Sequence, residues 1–329
     1  MNICIFGAGA IGISLAARLA SRGHRVSAVA RGATLAALRD DGLRLIDATG
    51  EHVCPVQADS DPAQLGPQDL VIVAVKGPAL PAVAAGIGPL LHDETTVLSA
   101  MNGMPWWFFD GMPGALANAR LESVDPQGAL HAAIATRRVL GAVVHLAASC
   151  PAPGTSRIHF GNRLILGEPD HSASPRLARL AGELREGGFE VDVTDHIQRD
   201  IWFKLWGNMT MNPISALTGA TCDRILDDPL VNDYCCAVMA EAATIGAQIG
   251  CPISQTPAER NAITRKLGAF KTSMLQDVDA GRALEIDALL AAVHEIAGRI
   301  GLAVPHTAAL LGLTRLFARQ RGLYPEKSS

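Results

Sequence analysis

Apolar and polar residues alternate in two different ways along this chain. In its first part, short apolar runs such as "NICIF" and "DLVIVAV" alternate with stretches in which apolar residues recur every three or four positions. Continuous apolar runs are typical of parallel strands buried on both faces, and the longer spacing is typical of amphipathic helices. From Asp200 onward only the helical spacing is found. We therefore expect an α/β domain at residues 1–197 and an all-helical domain at residues 198–329.

The same pattern predicts individual elements. Strands are expected at residues 2–6, 24–30, 69–75, 95–101, 138–150, 155–160, 163–168 and 189–195, with Gly161-Asn162 as a hairpin turn. Helices are expected at residues 200–211, 230–249, 256–270, 273–300 and 306–321. Pro213 should make the first of these helices kink or pause, because proline removes a backbone donor. Ser273 and Gln276 form a capping-box pattern at the start of the fourth helix.

A glycine-rich motif, "GAGAIG", joins the first strand to the first helix. In such a motif the glycines allow a tight turn, a close approach to a pyrophosphate, and close packing of the helix on the strand. A tight turn without any ligand is the alternative. The order of strand, motif, helix and second strand favours a Rossmann-type dinucleotide domain. The pyrophosphate is then expected at Gly7, Ala8, Gly9, Ala10, Ile11 and Gly12.

The residue at the end of the second strand discriminates between nicotinamide cofactors. An acidic residue at this point would bind the ribose 2′-hydroxyl of NAD, whereas an arginine suits the 2′-phosphate of NADP. The chain has Ala30 followed by Arg31. This predicts NADP(H) as the cofactor, with an exposed arginine of no such role as the alternative.

Two further polar residues follow buried strands. Lys76 comes after "DLVIVAV", and Asn102 comes after "TTVLSAM". Ligands of open parallel sheets bind beyond the carboxyl ends of the strands, so both side chains are candidates for binding the cofactor or substrate near the nicotinamide. The alternatives are a solvated lysine and an Asn-Gly turn.

The segment "WFKLWGNMTMNP" surrounds one lysine with large aromatic residues. Lys204, Asn208 and Asn212 are four residues apart, so on a helix they lie near one side, each shifted by about 40° from the one before. We call these three residues the polar stripe. A lysine near a carboxylate can donate a proton during carbonyl reduction, so Lys204 is the candidate general acid, with Glu285 as its partner. The alternative is a surface lysine whose stem covers the aromatic rings. His196 and His294 lack a defensible pairing with a carboxylate.

Composition excludes several classes of function. The net charge of −4 and pI near 6.2, without a basic run, exclude nucleic acid as an expected partner. Seven cysteines without a CxxC pair indicate neither a disulfide framework nor a metal site. The chain has no apolar run of membrane-spanning length and no signal-peptide pattern, so a cytoplasmic protein is expected. A homodimer is compatible with the sequence, which does not fix the oligomeric state.

Motifs along the whole chain resemble the ketopantoate reductase (2-dehydropantoate 2-reductase) family. They are "GAGAIG", "VAVKG", "MNG", "FKLWGNMTMNPISALTG", "TSMLQDVDAGRALEID" and "GLAVP", in that order. The resemblance implies a Rossmann-type domain followed by a helical domain, and NADPH-dependent reduction of a 2-oxo acid, by default 2-dehydropantoate to pantoate in pantothenate biosynthesis. It implies cofactor binding by Gly7, Gly9, Gly12, Arg31, Lys76, Asn102 and Glu285. It also implies catalysis by Lys204 with Glu285, and substrate binding by Asn102, Lys204, Asn208, Asn212 and Ser273.

The chain departs from the family pattern at three places. Leu290-Ala291 stands where many members have Asn-Gly, Cys222 stands near the position of a further asparagine, and "PWWFF" at residues 105–109 is not general in the family. The stretch from these aromatics to about residue 136 is interpreted either as a lid or as packing. A pocket with fewer amides leaves a different, bulkier 2-oxo acid open as substrate. A non-catalytic NADP-binding regulator and a sugar-phosphate or polyol dehydrogenase are the more distant alternatives.

Overall fold

The computed structural model describes residues 1–326 and divides into two compact units. One unit contains residues 1–102 and 127–197, and the other contains residues 103–126 together with residues 198–326. The first unit is α/β and the second is helical. The predicted fold class, an α/β Rossmann-type domain followed by a helical domain, is confirmed.

A single mixed sheet organises the α/β unit. Its strands are β1 Asn2–Phe6, β2 Arg25–Val29, β3 Leu43–Asp47, β4 Gly50–Cys54, β5 Gln57–Asp59, β6 Leu70–Val73, β7 Thr96–Ser99, β8 Val139–Ala152, β9 Thr155–Gly167 and β10 Glu190–Val193. They run in the order β4-β3-β9-β8-β7-β6-β1-β2-β5, and β10 pairs with β9. Neighbouring strands from β5 through β2, β1, β6 and β7 to β8 are parallel, and β8 and β9 are antiparallel.

The core of this unit lies between the sheet and its helices, which are α1 Ala10–Ala20, α2 Gly32–Asp41, α3 Leu80–Gly86, α4 Ala129–Ala133 and α5 Pro175–Glu186. Every residue of β6 is buried, as the continuous apolar run predicts. The apolar faces of α1 and α5, represented by Leu15, Leu19, Leu180 and Leu184, belong to the same buried cluster. Burial of apolar surface of this kind is the main favourable contribution to folding.

The expected turn at Gly161-Asn162 is wrong. The chain turns instead at residues 153–154, where Gly154 has a φ of +72°, and β9 continues through Gly161. Gly161 has a φ of +79° and lies where the pairing of β8 and β9 is irregular. A glycine with positive φ inside a strand is typical of a bulge, which the sequence does not distinguish from a turn.

The helical unit contains α6 Ile197–Thr218, α7 Cys222–Asp227, α8 Pro229–Gln248, α9 Pro257–Arg265, α10 Ser273–Asp279, α11 Ala292–Arg299 and α12 Pro305–Gln320, with a π-helical turn at Asp287–Ala291. The first residue of α6 still clusters with the α/β unit. Within residues 1–326, no helix combines the length and apolar character needed to span a membrane.

Three predicted helices differ from the structure. The helix expected at residues 256–270 ends at Arg265. The helix α6 does not stop near Pro213 but continues to Thr218, because residues 212–216 are buried and their packing holds the last turn. The helix expected at residues 273–300 is broken after Asp279, where Gly281 adopts a φ of +63°. Its N-cap is Thr272, whose hydroxyl accepts from the Leu275 N–H at 3.2 Å, and not Ser273.

The segment at residues 103–126, which the sequence assigns to the first domain, clusters with the helices. Its four adjacent aromatic residues, Trp106 to Phe109, are all buried. The ring centroids of Phe108 and Trp202 are 6.2 Å apart, and the Glu295 carboxylate accepts from the backbone N–H groups of Glu122 and Ser123 at 3.0 and 2.9 Å. Packing, and not a free lid, therefore describes these aromatics.

We expect Gly246→Ala to destabilise the helical unit. A Cβ at Gly246 in α8 would lie 2.3 Å from Trp202 Nε1 and 2.6 Å from the Cys251 carbonyl oxygen. Overpacking of this kind costs about 1–3 kcal/mol, which outweighs the roughly 1 kcal/mol that alanine gains over glycine in a helix. Thermal unfolding followed by circular dichroism measures the effect.

The matched control is Gly312→Ala in α12, where a Cβ would meet no atom of the described part of the chain within 4 Å. Its melting temperature should stay constant or rise, because only the gain in helix propensity remains. Equal melting temperatures for the two variants would contradict the importance of the contact between Gly246 and Trp202.

Candidate functional site

Three candidate cofactor-binding positions follow three neighbouring parallel strands of the α/β unit. Gly7 follows β1, Lys76 comes three residues after β6, and Asn102 comes three residues after β7. The strands β1, β6 and β7 are adjacent and parallel, so these residues lie along one edge of the sheet. Lys76 is exposed and Asn102 is half-buried. This is the edge at which open parallel sheets bind their ligands.

The glycines of the motif have different environments. Gly7 has a φ of +107°, and a Cβ on it would lie 2.6 Å from Val75 Cγ1. A Cβ on Gly12 would lie 2.2 Å from the Gly7 carbonyl oxygen. These two glycines are therefore required by the close packing of the turn itself.

Gly9 differs because a Cβ on it would meet no other atom of residues 1–326 within 4 Å. It is the N-cap residue of α1, no side chain caps that helix end, and the first turn has no acidic residue. Ala10 and Ile11 open the helix and are half-buried, as is Ala8. The helix end thus offers uncapped N–H groups beside open space, an arrangement that fits the pyrophosphate of a dinucleotide.

Arg31 is the N-cap residue of α2 and is exposed, two residues after the end of β2. Within residues 1–326, no carboxylate forms an ion pair with it. The nearby acidic residue of β5, Asp59, pairs with Arg39 at 2.6 Å. The guanidinium of Arg31 is consequently available to an anionic ligand.

The two tryptophans near Lys204 lie on the buried side of α6, and Lys204 lies on another side of the helix. Trp202 and Trp206, four residues apart on α6, are both buried, and the Trp206 indole N–H donates to the Met239 carbonyl at 2.8 Å. Lys204 is two residues from each tryptophan and is therefore directed about 200° away around the helix. The indole rings anchor α6 in the unit while Lys204 and Phe203 stay half-buried.

Two opposing effects act on the Lys204 ammonium. Burial lowers its pKa from the ordinary 10.5 to about 8, and the negative charge of Glu285 partly opposes this fall. Desolvation disfavours the charged amine, whereas a nearby carboxylate favours it. The structure thus brings together the two residues that the sequence pairs. An amine with this pKa is mostly protonated at neutral pH and releases its proton more readily than an ordinary lysine, so it can act as a general acid.

The remaining candidates for substrate binding lie on α6 and α10. Asn208 is one turn beyond Lys204 and half-buried, and Asn212 is one further turn along and buried. Ser273 is the first residue of α10 and exposed. The positions at which the chain departs from the family pattern, Cys222, Leu290 and Ala291, are all buried. None of these three side chains supplies an amide.

Glu285 is not part of a long helix. It lies on the irregular segment before the π turn, where the Leu284 N–H donates to the Leu323 carbonyl at 3.0 Å. Inside the π turn, the Ala288 carbonyl accepts from the Met104 N–H at 2.8 Å. Sequence reasoning missed this contact, because the π turn that carries Ala288 has no simple sequence signal.

The two histidines considered as alternatives are placed elsewhere. His196 belongs to the α/β unit, and its ring centroid is 4.5 Å from that of His171. His294 is exposed on α11. Sequence reasoning also missed Arg260 of α9, whose guanidinium carbon lies 5.1 Å from the centroid of the Phe203 ring.

Comparison with known proteins matches both units to one family. The family model "Ketopantoate reductase PanE/ApbA" matches residues 3–106, and "Ketopantoate reductase PanE/ApbA C terminal" matches residues 196–318. The chain is 44% identical over 325 residues to the 2-dehydropantoate 2-reductase of Mesorhizobium japonicum, covering 98% of this chain and 100% of the relative.

Two crystal structures extend this similarity. A protein of Ralstonia solanacearum MolK2, assigned as a ketopantoate reductase, has a TM-score of 0.95 and 58% identity, covering 98% of this chain and 99% of that one. A PanE/ApbA family ketopantoate reductase of Ralstonia eutropha JMP134 has a TM-score of 0.84 and 26% identity, covering 98% of this chain and 100% of that one.

We expect Gly103→Ala to weaken the contact between the 103–126 segment and the π turn. Gly103 has a φ of +80°, and a Cβ on it would lie 2.8 Å from both Cβ and the carbonyl oxygen of Ala288. Gly114→Ala is the matched control, since Gly114 has a φ of +99° but a Cβ would meet nothing within 4 Å.

Both variants carry left-handed strain, but only Gly103→Ala adds overlap, at about 1–3 kcal/mol. The melting temperature should therefore fall further for Gly103→Ala, as measured by thermal unfolding. Equal losses in the two variants would show that the approach to Ala288 has no energetic importance.

Proposed function

Because the chain belongs to the ketopantoate reductase family, we propose that it is an NADPH-dependent 2-dehydropantoate 2-reductase. The protein is an oxidoreductase of this family, and the family uses nicotinamide dinucleotides. The observation that carries the proposal is the pairing of Lys204 with Glu285 in the helical unit, where burial brings the pKa of the lysine to about 8. The substrate would be the ketone of 2-dehydropantoate and the product the alcohol of pantoate.

The residues along the sheet edge support a nicotinamide dinucleotide as cofactor. Gly7, Gly9 and Gly12, with Ala8, Ala10 and Ile11 between them, would hold the pyrophosphate at the uncapped start of α1. Arg31 would pair with a 2′-phosphate, which favours NADPH over NADH. Lys76, Asn102 and Glu285 would contact the cofactor closer to its nicotinamide. When bound, NADPH supplies the hydride.

Lys204 would supply the proton. As the carbonyl carbon gains a hydride, its oxygen develops negative charge, and the N–H of the Lys204 ammonium can donate to that oxygen. Glu285 would keep the amine protonated and oriented, because its charge raises the pKa that burial lowers. Asn102, Asn208, Asn212 and Ser273 would bind the substrate by neutral hydrogen bonds.

A different 2-oxo acid is the second candidate substrate. Leu290, Ala291 and Cys222 are buried and provide no amide, which reduces the hydrogen bonding available to a hydroxylated substrate. Sites that lack a polar partner discriminate weakly between a hydroxyl and a methyl group. A bulkier or less polar 2-oxo acid would then be reduced by the same residues.

Purified protein should oxidise NADPH in the presence of 2-dehydropantoate, measured by absorbance at about 340 nm, the nicotinamide band.

We expect Lys204→Ala to lower kcat by a factor of about 10²–10⁴, the usual contribution of a general acid, while NADPH still binds. Parallel assays with NADH and with bulkier 2-oxo acids test the cofactor and the second candidate substrate. Unchanged kcat in Lys204→Ala would disprove the role of the lysine, and turnover of only another acid would replace the substrate.

The pH dependence of kcat/KM should report the ionisation of Lys204. The active form is the protonated amine, so kcat/KM should be constant below the pKa and fall as the pH rises through about 8. In Glu285→Gln the charge that raises this pKa is gone, so the alkaline limb should move to lower pH. Asp279→Asn is the control, since Asp279 is an exposed carboxylate paired with Lys271. If the alkaline limb of the pH profile does not move in Glu285→Gln, the charge of Glu285 does not raise the pKa of Lys204 and this part of the proposal is wrong.

A further inference from the structure

Arg260 is held against α6 by two unusual contacts. Its guanidinium carbon lies 5.1 Å from the centroid of the Phe203 ring, within the range of a cation–π interaction. Its Nε and Nη2 atoms lie 3.1 and 3.2 Å from the position that a Cβ on Gly207 would occupy. The guanidinium therefore lies directly on the backbone of α6, between Phe203 and Gly207.

This arginine has no anionic partner within residues 1–326. Its Nε is buried and makes no hydrogen bond, and burial lowers the pKa of its guanidinium. The other arginines of the helical unit include several paired ones: Arg265 with Asp227, Arg282 with Asp277, Arg299 with Glu295 and Arg315 with Asp287. A partly buried charge without a counter-ion is costly, and a bound anion would offset that cost.

Gly207 makes this placement of the guanidinium possible. Glycine inside a helix costs about 0.5–1 kcal/mol relative to alanine, and at this position the missing Cβ leaves room for Arg260. Phe203 and Gly207 each immediately precede a residue of the polar stripe, Lys204 and Asn208. Consecutive helical residues differ by about 100° in direction, so the guanidinium lies on the face of α6 next to the stripe.

We propose that Arg260 binds the carboxylate of the 2-oxo acid substrate and sets the preference of the enzyme for acids over uncharged ketones. The inference rests on the proposed function and deepens it. In a 2-oxo acid the carboxylate is bonded directly to the ketone carbon. A guanidinium that holds the carboxylate beside the Lys204 face would turn the ketone oxygen toward the lysine ammonium. The planar fork of arginine suits a carboxylate, to which it can donate two parallel hydrogen bonds.

The assignment also gives the substrate a cationic partner that is not the proton donor. Lys204 must transfer its proton, whereas the guanidinium of an arginine keeps its charge throughout. The asparagines of the stripe are neutral and bind hydroxyl and carbonyl groups without discriminating by charge. Specificity for an anionic substrate then depends on Arg260.

The first test compares steady-state kinetics of wild type, Arg260→Gln, Arg260→Lys and Arg265→Gln with 2-dehydropantoate and NADPH. Loss of a charge-assisted pair should raise KM for the oxo acid about 10- to 100-fold in Arg260→Gln, with a smaller change in kcat. Arg260→Lys should recover part of the affinity, because it keeps the charge but loses the fork. Arg265→Gln, on the same helix but paired with Asp227, should leave KM unchanged.

The second test removes the charge from the substrate. Trimethylpyruvate and its methyl ester share the branched ketone and differ in the anionic group. They are compared as substrates, or as competitors of 2-dehydropantoate where turnover is slow. Wild type should have a higher kcat/KM for the acid than for the ester. In Arg260→Gln the ratio of these two values should fall by the same factor by which KM for the oxo acid rises. Because the ratio of acid to ester is taken within one variant, a loss of folded protein cancels out.

The outcomes separate the two proposals. If wild type reduces no 2-oxo acid with either nicotinamide cofactor, the proposed function fails and the inference fails with it. If wild type reduces 2-dehydropantoate but Arg260→Gln keeps the full preference for acid over ester, Arg260 does not bind the carboxylate and the reductase function stands. A collapse of the preference in Arg260→Gln with partial recovery in Arg260→Lys establishes the assignment.

Discussion

The helical unit sets two effects against each other at one amine. Withdrawal from water lowers the pKa of Lys204, and the carboxylate of Glu285 raises it, so the amine stays charged near neutral pH while being more acidic than a solvated lysine. Neither effect alone would serve as well. Burial without the carboxylate would lower the pKa of the amine further, and the carboxylate without burial would leave an ordinary lysine that holds its proton more tightly.

That balance requires both partners to be held firmly, and different contacts hold each one. Trp202 and Trp206 fix α6 from the side opposite to Lys204, through burial and the bond from the Trp206 indole to Met239. The Leu284–Leu323 backbone bond and the contact of Met104 with Ala288 fix the segment around Glu285. The segment at residues 103–126 contains neither Lys204 nor Glu285 and lies far from Glu285 in the sequence. It nevertheless helps to hold the backbone near Glu285 in place, through the bond from Met104 to Ala288.

Local patterns in the sequence suffice for much of this architecture. Runs of apolar residues predict the parallel strands, the glycine motif predicts the strand–turn–helix start, and the spacing in "WFKLWGNMTMNP" predicts the polar stripe. The failures concern long-range packing. Whether Gly161 forms a turn or a bulge depends on the partner strand, and the extension of α6 past Pro213 depends on burial of residues 212–216. Two further features depend on the complete fold. They are the lack of a counter-ion for Arg260 among residues 1–326 and the assignment of residues 103–126 to the helical unit.

The π turn at Asp287–Ala291 also fixes the rotational phase of the helix that follows it. A π turn contains about one residue more than an α turn, and one residue corresponds to about 100° of helical rotation. Glu295 holds the backbone of Glu122 and Ser123 because α11 begins with this phase. The contact made by Glu295 therefore depends on the number of residues between Glu285 and Glu295. Deletion of one residue from this stretch would rotate α11 by about 100° and turn Glu295 away from the segment that it holds here.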